Sequence, residues 1–235
     1  IALERQGRKD EAKNAVSDLL KTDPLNHFAR FWACCMGIMT RDEFYAGLKS
    51  DPSQTGLDIA IHFYDCGMKQ EAETLLEGIP DKSPMVYYFL GNDKKAETTP
   101  LTSSFAFRIE EYRLLKTIDL PMAHYYLGCL LYAGGRYQEA EQEFLKTVQR
   151  KPEFYIPYRN LAALYYSHLN RKDQVLPLLQ KALERHPEDE QLIFETVYVM
   201  GRLGVEPGER IAFLQSHPSG RDDVLIELAR AYNQN

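Results

Sequence analysis

Residues 124–152, HYYLGCLLYAGGRYQEAEQEFLKTVQRKP, read as two short amphipathic helices joined by a tight turn. In the first, Leu127, Gly128 and Leu131 fall on one helical face. Gly134-Gly135 breaks that helix, because two consecutive glycines cost about 2 kcal/mol in a helix interior. A second helix restarts at Arg136-Tyr137 and places Ala140, Phe144 and Thr147 inward. It stops before Pro152, which pushes Lys151 out of the α region. Gly128 and Ala140 are both small, so the two helices are expected to cross closely with glycine facing alanine. Glu141, one residue past the inward Ala140, is expected to point to solvent.

This order of residues resembles a tetratricopeptide repeat: Leu-Gly in the first helix, then a large apolar residue, then Ala, Phe and Pro. Where the family carries Trp three residues before the Leu, this chain has His124. One helix pair of this kind cannot bury its apolar face alone, so the pattern must recur if it is structural. It does. The spacing from Ala140 to Pro152 returns at Ala12, Val16, Leu19, Pro24, at Ala72, Leu76, Ile79, Pro84, and at Val175, Leu179, Ala182, Pro187. The last of these follows a turn near Asn170 that is one residue longer.

The chain of 235 residues has room for about six or seven such repeats. The resemblance implies an all-α fold, a right-handed α-solenoid of helix pairs spanning 1–235, with the first and last repeats incomplete. Helices are expected over 25–39, 41–49, 53–66, 69–77, 85–90, 155–168, 173–185, 190–202, 209–216 and 221–232. From 78 to 120 the pattern is irregular, with a polar loop over 91–104 and a helical period resuming over 105–118. That stretch reads either as a degenerate repeat with a long inter-helix loop or as a lid or partner-binding loop.

Composition narrows the function. A formal charge of −6 with no basic stripe argues against nucleic acid as a partner. No apolar run approaches the roughly 18 residues of a membrane span. The four cysteines, Cys34, Cys35, Cys66 and Cys129, form no CxxC and read as reduced, buried small hydrophobes. The chain opens Ile-Ala-Leu-Glu, without a starting Met or a signal peptide, and so reads as a segment of something longer with a cytoplasmic location.

Catalytic chemistry is not legible. There is no Gly-rich phosphate loop, no His/Cys cluster at metal spacing and no serine nucleophile elbow, so no cofactor, metal or catalytic residue is expected. Cys34 and Cys35 point about 100° apart on a helix and cannot share one ion well. Glu110 and Glu111 likewise diverge, so no carboxylate pair suits glycoside hydrolysis. The acidic runs 139–143 and 188–190 read as solvated faces and helix starts.

The resemblance also implies a concave groove lined by the first helix of each pair, binding extended peptides or partner helices. Counted from the small residue of each first helix, its side chains are Phe31, Tyr64, Tyr125, Tyr132, Arg159, Tyr166, Phe194 and Tyr198. The groove is thus aromatic with one central arginine, and aromatic side chains give large contact area at low entropic cost. The function expected is a non-catalytic scaffold for a protein or peptide partner, which includes another domain of the same chain. The phrases DPLNHFARF (23–31) and FAFR (105–108) are similar to the C-terminal repeat region of large bacterial multidomain proteins with an N-terminal β-rich domain. That resemblance implies the alternative: a structural support for a neighbouring carbohydrate-related domain.

Overall fold

Helices begin where the sequence supplies caps. The Asn26 side chain accepts from the Ala29 amide at 2.9 Å and starts a helix at His27. Thr40 and Glu43 form a reciprocal capping box at the start of the helix Arg41–Ala46. Proline stands at the first helical position in Pro52–Asp65, Pro84–Phe89 and Pro121–Ala133, where its missing N–H has no helical partner to lose.

The computed structural model describes residues 2–101 and 106–234, and among them every regular element is helical. They divide into two compact units, Ile1–Phe105 and Ala106–Asn235, and the division falls inside the stretch whose sequence pattern is irregular. The first unit holds α1 (Ala2–Arg5), α2 (Lys9–Thr22), α3 (His27–Cys35), α4 (Arg41–Ala46), α5 (Pro52–Asp65), α6 (Lys69–Gly78), α7 (Pro84–Phe89) and α8 (Asp93–Thr98). The second holds α9 (Ile109–Leu115), α10 (Pro121–Ala133), α11 (Tyr137–Arg150), α12 (Ile156–Ser167), α13 (Val175–Leu183), α14 (Glu190–Arg202), α15 (Pro207–Ser216) and α16 (Asp222–Gln234). Each unit is an α-solenoid of antiparallel helix pairs, the fold class expected from the repeat.

The pairing is written in the backbone. Every turn from a first to a second helix contains one residue in the left-handed region, at Gly7, Gly37, Gly67, Gly91, Gly135, Asn170 and Gly204. In the α10–α11 turn Gly135, at φ 73°, donates to the Tyr132 carbonyl at 3.0 Å, and Arg136 donates to that of Leu131 at 2.9 Å. These two bonds are a Schellman closure, which satisfies carbonyls the helix end would leave orphaned. Asn170, at φ 52°, does the same work without glycine's freedom, which asparagine tolerates better than other side chains.

The first unit is cored by rings: Phe31 packs on Phe44 and Phe63 with centroids 5.2 and 5.3 Å apart, and Trp32 lies 5.4 Å from Phe63. In the second unit the inward face of α11 is Ala140, Phe144 and Thr147, as the spacing predicts.

Four expectations need correction. The polar stretch after Gly91 is not all loop. It contains α8, started by Asn92, whose side chain accepts from the Lys95 amide at 3.2 Å. Residues 102–105 of that expected loop and of the helix after it lie outside the described residues. The partner of Gly128 is not Ala140 but the Phe144 ring, which a Cβ at 128 would meet at 2.7 Å. Glu141 does not face solvent: it is 4 % exposed, because Tyr165 and Arg171 reach it from the next repeat. The cysteines are free as expected, but Cys35 is exposed and the other three are only half-buried.

Candidate functional site

First helices in the second unit are joined to one another by polar side chains. On α12, Arg159 donates from Nε to Glu195 Oε2 of α14 at 2.6 Å, and its Nη2 donates to Glu195 Oε1. This fork raises the Arg159 pKa above its ordinary value. Gln191, one turn before Glu195, donates to the same Oε1 at 2.7 Å, so both carboxylate oxygens are occupied. Near the start of α12, Tyr155 donates its hydroxyl to Asp189, the N-cap of α14, at 2.9 Å. Burial first, and then that bond, push the Tyr155 phenol up to about 12.

Beside the Arg159–Glu195 bridge lies an open cleft of about 270 Å³. Ala162 and Ala163 of α12 and Val175 and Leu179 of α13 contribute to its lining, and Tyr166 and Tyr198 stand over it. Ala163 is exposed, so the small side chain leaves a shallow space between Arg159 and Tyr166. The neighbouring Tyr166 raises the Arg202 pKa above its ordinary value. Tyr198 is 43 % exposed although it is a large aromatic.

Three of the eight expected groove residues, Arg159, Tyr166 and Tyr198, therefore converge on one cleft. Phe194 sits one turn before Tyr198, its ring 6.0 Å away, with the Arg221 guanidinium 5.7 Å over its face. Tyr132, on α10, contacts His168 just past α12, its hydroxyl 3.3 Å from Nε2, while His168 stacks on Tyr137 at 3.8 Å. Tyr64 belongs to the first unit, where its half-buried ring packs 5.7 Å from Phe89 and burial pushes the phenol up to about 12.

Two of the eight are not available to a ligand. Phe31 is 2 % exposed and Tyr125 3 % exposed. Phe31 belongs to the aromatic core of its unit, and Tyr125 is enclosed by Tyr126, Phe144 and Phe154. Both stand three residues before the small residue of a first helix, as do Arg159 and Phe194, which remain half-buried, so that position does not have one fate in every repeat. The charge of the central arginine, Arg159, is met by Glu195.

Sequence reasoning missed Glu195 and Arg202. The signal existed for the first: Arg159 and Glu195 are 36 residues apart, close to one repeat, so opposite charges on successive first helices were candidates for a bridge. A larger hollow of about 520 Å³ lies among Leu176 and Leu183 of α13, the adjoining Glu184, Met200 of α14 and Phe213 of α15. It includes none of the expected groove residues.

Among the described residues no group of three or more His, Cys, Asp or Glu is placed to hold a metal ion. No helix among them is long and apolar enough to cross a membrane.

A family model described as a tetratricopeptide repeat matches residues 121–154, the α10–α11 pair with its flanks. Among solved structures, the chain is similar to MamA at 14% identity, covering 99% of this chain and 92% of that one with a TM-score of 0.37. It is similar to YrrB, described as a TPR protein with an unusual peptide-binding site, at 15% identity over 83% of each chain with a TM-score of 0.41. It is similar to pilF of Pseudomonas aeruginosa at 17% identity, covering 78% of this chain and 85% of that one with a TM-score of 0.46. Likenesses this loose bear on neither the arrangement of the units nor their ligands. Residues 121–154 are a tetratricopeptide repeat, and the helix pairs on either side follow the same helix–turn–helix plan.

Proposed function

We propose that the chain is a non-catalytic scaffold that holds an extended polypeptide segment in the cleft between α12 and α14. The observation that carries this is the convergence of Arg159, Tyr166 and Tyr198 on one open cleft, with Tyr198 left 43 % exposed. Tyrosines held at a cleft offer a large contact area with few rotors to freeze, and residues of this type dominate binding energy at interfaces. The Arg159–Glu195 fork fixes the spacing of α12 and α14, so the cleft is formed before a partner arrives, which lowers the ordering cost of association. The partner is a polypeptide, supplied by another protein or by a distant part of the same one.

A displayed library of random peptides selected on the 235-residue chain tests this. Selected sequences should bind the wild type and lose tenfold or more in affinity to the double variant Tyr166→Ala/Tyr198→Ala, with its thermal midpoint within a few degrees of wild type. Binding unchanged in the folded double variant would remove the cleft from consideration.

A further inference from the structure

His124 stands three residues before Leu127, where the repeat family carries tryptophan, and its ring is buried. Its Nδ1 lies 2.6 Å from Glu143 Oε2 on α11, and its Nε2 lies 2.9 Å from Asp119 Oδ1 in the loop before α10. Both ring nitrogens therefore face carboxylate oxygens, which only accept. A neutral imidazole carries one N–H and can satisfy one of them. The imidazolium carries two and satisfies both. We infer that His124 is a proton-operated fastener: as the imidazolium it ties the α9–α10 loop to α11, and on losing its proton it lets the loop go.

The surrounding charges alternate in sign. Lys146 Nζ lies 2.9 Å from Glu143 Oε1, and Arg150 Nη1 lies 2.8 Å from Asp119 Oδ1. The row runs Lys146, Glu143, His124, Asp119, Arg150, with a cation expected at its centre. Among the described residues these are the charged groups that face the ring directly or through a shared carboxylate. Arg150 first, and then His124, hold the Asp119 carboxyl well below its ordinary range, so Asp119 stays ionised while the ring titrates.

Burial decides which bond is given up. The Glu143 side chain is 13 % exposed and that of Asp119 74 %. A carboxylate left unpaired in the interior is costly, whereas water replaces a partner at the surface. The remaining proton therefore stays on Nδ1 with Glu143. Nε2 then turns a lone pair toward Asp119 Oδ1, and the contact becomes repulsive. The loop keeps only its tie to Arg150, whose Nη1 also donates to the Asp119 carbonyl at 2.9 Å. The fastener is complete on the acid side of the His124 titration and is lost as pH rises through it.

NMR of the 235-residue chain between pH 5 and 9, with 15N-histidine and 13C-methyl isoleucine and leucine, tests this. The His124 ring should carry two protons at the acid end and lose the one on Nε2 as pH rises. The Ile118 and Leu120 methyls, on either side of Asp119, should shift with the same midpoint. In Glu143→Gln the neutral ring can accept from the amide at Nδ1 and donate from Nε2 to Asp119, so the ring should still titrate while the loop methyls stay flat. In His124→Gln they should also stay flat. A ring whose proton count does not change over this range, loss of the Nδ1 proton instead, or loop methyls that ignore the ring's titration in wild type each overturn the inference. So does a loop that still titrates in either variant.

Discussion

The Tyr165 hydroxyl donates to Glu141 Oε1 at 2.7 Å, joining α12 to α11 across the boundary between two repeats. Arg171, from the turn after α12, closes on the same carboxylate oxygen and lies 5.1 Å over the Tyr165 ring. The acid is 4 % exposed, and the phenol beside it is pushed up to about 12, by burial first and by the bond to Glu141 second. A carboxylate buried this far is tolerated because both partners meet it.

Replacing Glu141 by Leu should strand the Tyr165 hydroxyl and the Arg171 guanidinium and cost about 1–3 kcal/mol. Gln142 is exposed on the same helix, and Gln142→Leu should stay within about 0.5 kcal/mol. Urea melts of the two variants compare them directly. Equal effects would mean that the bridge contributes nothing to stability.

Gly128 offers a second test. A Cβ there meets the Phe144 ring at 2.7 Å, and the ring is 1 % exposed and has little room to move. Gly128→Leu should overpack the α10–α11 contact by about 1–3 kcal/mol or more. Pairing it with Phe144→Ala should recover part of the loss, since the smaller side chain vacates the space, and a strictly additive double variant would refute the contact.

Asparagine in the left-handed turn between α12 and α13 predicts a ranking. Asn170→Gly should change stability by a few tenths of a kcal/mol, while Asn170→Val should cost about 1–2 kcal/mol. Thermal midpoints in the order Gly, Asn, Val or Asn, Gly, Val fit this. A valine variant as stable as wild type would not.

The loop before α10 should sense acid. Asp119 accepts from Arg150 Nη2 at 3.0 Å and lies 2.9 Å from His124 Nε2. These contacts, Arg150 first, bring its pKa from the ordinary 3.8 to about 2. A depressed carboxylate contributes stability above its unfolded-state pKa and loses it as pH falls toward the folded value. Wild type should therefore lose more stability than Asp119→Asn between about pH 4 and pH 2. The side chain is largely exposed and screened, so the difference should be modest and should shrink in high salt. Parallel urea-midpoint curves for the two proteins would exclude it.

Much of the helix order was legible because alanine, phenylalanine and proline recur at one spacing, and a period of that length tolerates few other folds. What escaped was the polar wiring between repeats. His124 read as a mere departure from tryptophan, yet it is buried with Nδ1 2.6 Å from Glu143 Oε2 and Nε2 2.9 Å from Asp119. Period alone assigns a face to each residue, and Glu141 on α11 lies just off the apolar stripe. Only the neighbour repeat, arriving with Tyr165 and Arg171, makes that position interior. The same holds for the expected groove: residues four after the small position, such as Tyr132 and Tyr166, remain partly open, whereas Phe31 and Tyr125, three before it, are taken up by the core.

The tight α10–α11 turn bears on the order in which the chain assembles. Closing a loop of only a few residues costs little entropy, and Gly128 lets the Phe144 ring lock the pair without help from distant segments. This pair should then be structured earliest, with neighbours adding outward in both directions, as expected where contacts are mostly local. Truncations at Leu127 and Phe144 should slow refolding, whereas truncations in α3 or α15 should mainly hasten unfolding. A polypeptide seeded from its middle has two growing fronts, and an arrest at either one leaves the other free to finish.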